Sequence, residues 1–159
     1  LVTYASTLVE DAEAKVIDLR DYEPPMFSTD LEKEIGTHDK VKALVAEMEA
    51  ADAVVISTPE HNGMPPAFLK NILDWLSRVK MISGSETQYL EGKAAIIMSA
   101  GPGAGGALKA RDLVKTIISY AKADIVGEFS LPSFYDNFQD GELVNDELRD
   151  QLKGLISKL

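Results

Sequence analysis

Four short apolar runs, separated or followed by stretches with helical spacing, decide most of what this chain can fold into. Residues 14–19 (AKVIDL), 52–58 (DAVVIST), 93–99 (KAAIIMS) and 124–131 (DIVGEFSL) are brief and mostly rich in β-branched side chains, the composition of buried strands. Residues 39–51 place Val41, Leu44, Val45 and Met48 on one helical face, and residues 65–80, 104–123 and 145–159 repeat that spacing, the last with Leu148, Leu152, Leu155 and Ile156. The strand runs lack in/out alternation, so both of their faces must be covered. The expected class is therefore α/β, a doubly wound parallel sheet with helices on both faces. One domain spanning 1–159, with a single ordinary core, accounts for the whole length.

The opening residues stand apart from this pattern. Leu1, Ala5, Leu8, Val9 and Ala12 share one helical face, and nothing ahead of Leu1 serves as an N-cap. A flavodoxin-like sheet of strand order 2-1-3-4-5 needs an interior first strand upstream of such a helix, and no run in the sequence supplies it. The expectation is a flavodoxin-like fold whose first strand is missing from the sequence given. The alternative, a four-strand variant beginning with the helix, would leave sheet fragments with unpaired edges.

Composition removes several classes of function. The chain has no cysteine and two histidines, His38 and His61, which excludes disulfides, thiolate nucleophiles and cysteine metal sites and makes a histidine metal site unexpected. With 26 acidic against 16 basic residues and a net charge of −10, the surface repels phosphate backbones and anionic lipid, so nucleic acid is not an expected partner. Any phosphate-bearing ligand must be held by local donors. No carboxylate pair is placed for glycosidase or two-metal chemistry. The apolar runs fall far short of the roughly 20 residues of a membrane span, and no basic and apolar leader opens the sequence. A cytoplasmic location is expected.

Two strand-to-helix junctions carry the informative residues. In the first, Thr58 leads into Pro59, Glu60, His61, Asn62, Gly63 and Met64, and then Pro65 and Pro66 preorganise a helix start. Pro59 ends a ladder, and Asn62-Gly63 is a turn dipeptide that tolerates positive φ. A stiff loop with exposed amides can follow the edge of a flat heterocycle; spacing alone leaves that reading and an ordinary βα connection equally open. In the second junction, Ser99 and Ala100 precede Gly101, Pro102, Gly103, Ala104, Gly105 and Gly106. Such a loop lets backbone approach a ligand closely, with a helix N-terminus just beyond. It fits neither the G-x-x-x-x-G-K-[ST] pattern nor a strict dinucleotide fingerprint.

Thr58-Pro59-Glu60-His61-Asn62-Gly63, followed by Pro65-Pro66 and the run Leu69-Lys70-Asn71-Ile72-Leu73-Asp74-Trp75-Leu76-Ser77-Arg78, resembles the signature of the NADPH-dependent FMN reductases. These are flavodoxin-like flavoproteins that include quinone and azo-dye reductases. The segment from Ser99 to Gly106 resembles that family's second flavin loop, and residues 16–21 its second strand; the resemblance places the family's first strand and phosphate loop immediately upstream of Leu1, outside the sequence given. The resemblance implies FMN as cofactor, NADPH or NADH as co-substrate, and ping-pong hydride transfer through FMN to a small-molecule electron acceptor: a quinone, azo compound, metal ion or free flavin. It implies that Pro59, Glu60, His61, Asn62 and Gly63 line the isoalloxazine, that Ser99, Gly101 and Gly106 flank its other end, and that the protein is a homodimer or homotetramer. No residue is assigned a catalytic role and no metal is expected. His61 stands where the family most often has tyrosine, which exchanges a phenol for a smaller, titratable ring. The alternative function is a flavodoxin-like flavin or nucleotide carrier without nicotinamide turnover.

Several neighbouring residues read as structural. Glu60 is expected to anchor its loop by accepting backbone N–H bonds, and His38 lies near a helix cap. Trp75 is assigned to packing. Phe68, Leu69, Ile72, Leu73, Trp75, Leu76 and Val79 span an apolar arc of about 160° at 100° per residue, wide enough to suggest a subunit partner. Lys70, Asn71, Asp74, Ser77 and Arg78 form the expected solvated face, with Asp74 and Arg78 as an i,i+4 pair. The aromatic segment 133–138 is expected to pack, with a flavin cap from the side as the sharper reading. Asn145 is the expected N-cap of the last helix.

Overall fold

A computed structural model of the chain describes residues 1–79 and 87–159. Helix α1 (Val2–Ser6) is followed by a 3-10 turn (Leu19–Tyr22), then α2 (Thr29–Ile35), α3 (Asp39–Ala50), β1 (Ala53–Thr58), α4 (Ala67–Leu76), β2 (Ala94–Ala100), α5 (Leu108–Tyr120) and β3 (Asp124–Leu131). A short helix α6 (Phe134–Asn137), the hairpin strands β4 (Phe138–Gln139) and β5 (Glu142–Leu143), and α7 (Asp146–Ile156) complete the described chain.

The three long strands form one parallel sheet in the order β1-β2-β3. Ala53 lies opposite Ala94 and Thr58 opposite Ser99, while β3 shifts register after Ala95 so that Ile96 faces Gly127. The sheet is covered on both sides, as its unalternating strands require. Ala95 and Ile97 point into a cluster with Leu44, Leu69, Ile72, Trp75 and Val114, whereas Ile96 and Met98 point into one with Phe129, Leu131, Leu152 and Ile156. That two-residue alternation of direction within β2 is the pleat itself.

The expected helices are present but shorter. Residues 65–80 give Ala67–Leu76, with Lys80 outside the described residues, and 104–123 gives Leu108–Tyr120 because residues 104–107 turn rather than coil into the helix. His38 caps α3 through Nδ1, which accepts from the Lys40 N–H at 3.2 Å, and Asn145 caps α7 through Oδ1, which accepts from Leu148 at 3.1 Å. At the start, Leu1, Leu8 and Val9 pack with Ala5 on the second cluster, but α1 stops at Ser6 and Ala12 is exposed.

Residues 14–19 do not form the expected strand. Among the described residues no strand lies beside them, and a strand exists only through its ladder. Asp18 also diverts the Arg20 N–H to its own carboxylate at 3.0 Å, opening the 3-10 turn instead. Ile17 and Leu19 still pack on the first cluster, while Val16 is exposed. The observed order β1-β2-β3 corresponds to the last three strands of the order 2-1-3-4-5.

Helix α4 corrects three side-chain expectations. Its wide apolar arc is covered from within the chain: residues 24–27 lie across it, the Trp75 Nε1–H donates to Pro25 O at 2.8 Å, and the Phe27 ring meets Trp75 edge-on at 5.2 Å. The arc therefore needs no second subunit. Asn71 is buried rather than solvated, accepting from the Phe27 N–H at 2.8 Å and donating to Pro24 O and Pro25 O at 3.3 and 3.2 Å. Asp74 pairs with Lys70 at 2.6 Å instead of Arg78, whose Nε–H reaches Glu32 at 2.7 Å because α2 lies within its reach.

Candidate functional site

The loops that follow β1, β2 and β3 meet beyond the carboxyl ends of the strands, where ligands bind in open parallel sheets. In the first, the N–H and C=O of His61 pair with those of Met64 at 2.8 and 3.1 Å. Asn62 and Gly63 occupy the two positions between them at φ 55° and 77°, the pattern of a type I′ turn that an Asn-Gly pair favours. This small hairpin stands in solvent, with His61, Asn62 and Met64 exposed, while Pro65 is buried and sets its base.

Glu60 ties this loop to the next. Its Oε2 accepts from the Ala110 N–H at 3.3 Å in the first turn of α5. Helix α5 has no cap of its own, because its N-cap residue is Ala107 in the left-handed region at φ 64°. A carboxylate from 50 residues upstream therefore fills the place of the missing cap and complements the helix dipole. The expected anchoring role of Glu60 is what the structure shows.

The glycine-rich loop is stitched to β3 and the residues after it. Gly101 N–H donates to Leu131 O at 3.2 Å, Gly101 O accepts from Phe134 N–H at 3.0 Å, and Gly103 O accepts from both Gly106 and Ser133 at 3.1 Å. Gly106 sits at φ +55° with its missing Cβ position 2.7 Å from the Leu131 carbonyl carbon and 2.8 Å from Pro132 N, so only glycine fits there. Around Gly103 and Gly105, by contrast, added Cβ atoms would meet open space. Ser99 is fully buried, and its Oγ–H donates to Gly106 O at 2.7 Å; its hydroxyl holds the loop from behind rather than facing solvent.

Residues 102–105 leave backbone exposed at the tip of the second loop, and exposed amides of this kind can hydrogen-bond the edge of a flat heterocycle. At Gly101, a Cβ would stand 3.0 Å from Ala107 N and 3.4 Å from Ala107 Cβ, filling the space beside that amide; glycine leaves it clear. In the third loop, Phe134 stacks on Phe138 at 5.2 Å and packs into the second cluster, so that of the three aromatic rings it is Tyr135 that projects, at 76% exposure. The packing reading of residues 133–138 holds for the two phenylalanines. Cavities of about 220 and 310 Å³ lie elsewhere, lined by residues such as Glu49 and Lys93, or Asp74 and Tyr120, toward the opposite end of the sheet. Among the described residues no acidic, histidine or cysteine cluster could hold a metal ion, and no helix is long and apolar enough to cross a membrane.

The sequence profile of the NADPH-dependent FMN reductases matches residues 1–136. The chain belongs to that family. FMN and NAD(P)H are accordingly its cofactor and co-substrate, and it is an oxidoreductase of the flavodoxin-like α/β class. It is 30% identical over 140 residues to a quinone reductase of Escherichia coli K12, covering 84% of this chain and 70% of that protein. It is 29% identical over 144 residues to the uncharacterized MG342 homologue of Mycoplasma pneumoniae, covering 90% and 85%. In three dimensions it is similar to FerB, a flavoenzyme NAD(P)H:(acceptor) oxidoreductase from Paracoccus denitrificans. That likeness has a TM-score of 0.72 and 23% identity over 99% of this chain and 84% of FerB.

What sequence reasoning missed is the wiring behind the loops. The Glu60 bond to Ala110 and the contacts that link Ser99 and Arg111 to Ser130 join residues 50, 31 and 19 positions apart in the chain. Only the Asp-Gly hairpin turn, Asp140 and Gly141 at φ 50° and 89°, carried a local signal strong enough to predict β4 and β5.

Proposed function

We propose that this reductase holds the FMN isoalloxazine between the turn of residues 59–63 and the glycine-rich loop, and passes electrons to a small quinone-class acceptor. The observation that carries the reading is the pair of loops at the strand ends, locked to each other through Glu60 and presenting backbone around Gly63, Gly101, Gly103 and Gly105. Pro59, His61, Asn62 and Gly63 supply the edge of a rigid hairpin. Glu60 sets the distance between the loops, Ser99 and Gly106 hold the second loop, and Gly101 keeps the Ala107 amide open.

Bound FMN supplies hydride chemistry that no side chain here provides. The protein's own part is placement and exclusion of water. In this reading a nicotinamide and an acceptor enter by turns over the rim formed by exposed His61 and Met64, in a ping-pong sequence. The name of the E. coli relative supports quinones ahead of azo compounds, metal ions or flavins as acceptor.

The chain is one domain in this reading, since both core clusters share a single sheet. We assign it a homodimer, or a homotetramer built from two such dimers; exposed Leu113 and Tyr120 flank Ile117 on the outer face of α5 and offer apolar surface for it. Sedimentation at a mass of one chain would contradict that assignment. The activity is tested by aerobic NADPH oxidation with FMN-loaded protein: a rate that rises with added quinone supports the reductase, and inertness supports a carrier.

A further inference from the structure

Behind the glycine-rich loop runs a chain of polar contacts that ends on the loop's backbone. Ser99 and Ser130 are register partners across β2 and β3, and their Oγ atoms lie 2.9 Å apart. Arg111, on the first turns of α5, donates from Nη1 to Ser130 Oγ at 3.0 Å, and Ser99 Oγ–H donates to Gly106 O at 2.7 Å. A serine hydroxyl has one proton. Because the proton of Ser99 goes to Gly106, the proton between the two serines belongs to Ser130, and the chain has one direction: guanidinium to Ser130, to Ser99, to the carbonyl.

The starting charge is firmly held. A guanidinium is a cation with five N–H donors in a fixed fork and no acceptor. The Arg111 side chain is 15% exposed, and Nη2 meets Glu128 Oε2 at 3.2 Å and Asp112 Oδ1 at 2.9 Å. Lys115, one turn further along α5, pairs with the same Glu128. Glu128 and Ser130 are two residues apart on β3 and so face α5 together.

The far end of the chain is the peptide joining Gly106 and Ala107. The peptide joining Gly106 and Ala107 is trans, so an inward-pointing Gly106 carbonyl turns the Ala107 N–H to the opposite side. There the N–H has no acceptor among the described residues, and the glycine at position 101 keeps the adjoining space clear. Donation to a carbonyl polarises its peptide and strengthens the N–H on the other side.

We propose that Arg111 is a positioning residue for the flavin: through Ser130 and Ser99 it fixes and polarises the peptide joining Gly106 and Ala107, so that the Ala107 N–H favours the reduced, more electron-rich ring over the oxidised one. This rests on the placement of FMN proposed above.

The test compares wild-type full-length protein with Ser130→Ala, Arg111→Met and Ser130→Thr, each loaded with FMN, by midpoint potential and FMN affinity. Ser130→Ala and Arg111→Met are expected to lose about tenfold more affinity for reduced than for oxidised FMN, a fall of about 30 mV for a two-electron couple. Ser130→Thr, which keeps the hydroxyl, is expected to retain the wild-type potential. Folded Ser130→Ala or Arg111→Met protein that binds FMN at the wild-type potential would overturn the proposal, even if its melting temperature fell. Either variant suffices if the other does not fold. Hydrogen exchange of the Gly106 amide in FMN-free protein gives a second readout, expected to quicken about tenfold in both variants as the loop loosens. Wild-type protein that binds no FMN would sink the flavin placement alone, and unchanged Gly106 exchange in the variants would then sink the positioning role as well.

Discussion

Single atoms decide several positions around the candidate site. Gly106→Ala adds a Cβ within 2.8 Å of the Leu131 and Pro132 backbone at a positive φ. The expected loss is roughly 1–3 kcal/mol, read as a lower urea midpoint, whereas Gly105→Ala, which meets open space, is expected to stay within about 0.5 kcal/mol of wild type. Equal losses at the two positions would refute the close packing of Gly106 on β3. Asn71→Ala strips the Phe27 N–H of its acceptor where residues 24–27 cross α4, and an expected cost of about 1–3 kcal/mol follows from the unsatisfied group. Titration offers an independent check. Burial pushes the Tyr89 phenol up to about 12 from an ordinary value of 10.0. The folded protein thus holds that proton more tightly than the unfolded chain, so the contribution is intact below pH 10 and is lost as pH rises toward 12. Asp18 behaves in the opposite sense: its hydrogen bonds to Arg20 hold it at about 2, so what it contributes is present above 3.8 and disappears as pH falls through that window. A spectrophotometric titration in which all five tyrosines ionise together near pH 10, with the fold intact, would contradict the burial of Tyr89.

At the scale of elements, the strap of residues 24–27 over α4 makes its own prediction. Trp75 is the sole tryptophan, fully buried, with Nε1 bonded to Pro25 O. Its emission should be blue-shifted and shielded from iodide, and Phe27→Ala, by opening the edge-on contact, should shift it to the red; red, quenchable emission in the wild type would refute the strap. The strap also shows why some features could be read from sequence and others not. Strands β1, β2 and β3, the two loops and the caps from His38 and Asn145 follow from local composition and spacing, so they were legible within a residue or two. The width of the α4 arc was legible as well, but what covers it was not, because Pro24 and Pro25 carry no apolar periodicity. Residues 14–19 have strand composition without a ladder, and composition cannot say whether a neighbour is present. The same limit applies to Glu60 and Ala110 or Arg111 and Ser130: each pair meets only because the sheet sets its helices and loops side by side.

For the molecule as a whole, a net charge of −10 and a three-strand parallel core with helices on both faces leave the exposed backbone at the strand ends as the place for a flat, hydrogen-bonding ring. The acidic surface means that anionic FMN and NADPH gain nothing from long-range attraction, so their binding should weaken little as salt rises. A steep loss of FMN affinity between low and physiological ionic strength would point to a basic site that the described residues do not contain. The central claim, that these loops hold an FMN reducible by nicotinamide, is tested most directly in one cuvette. Full-length protein is incubated with FMN, desalted, and its visible spectrum followed on anaerobic addition of NADPH. Retained flavin absorbance that bleaches with NADPH is the predicted result; protein that emerges colourless, or whose colour survives NADPH, would contradict it.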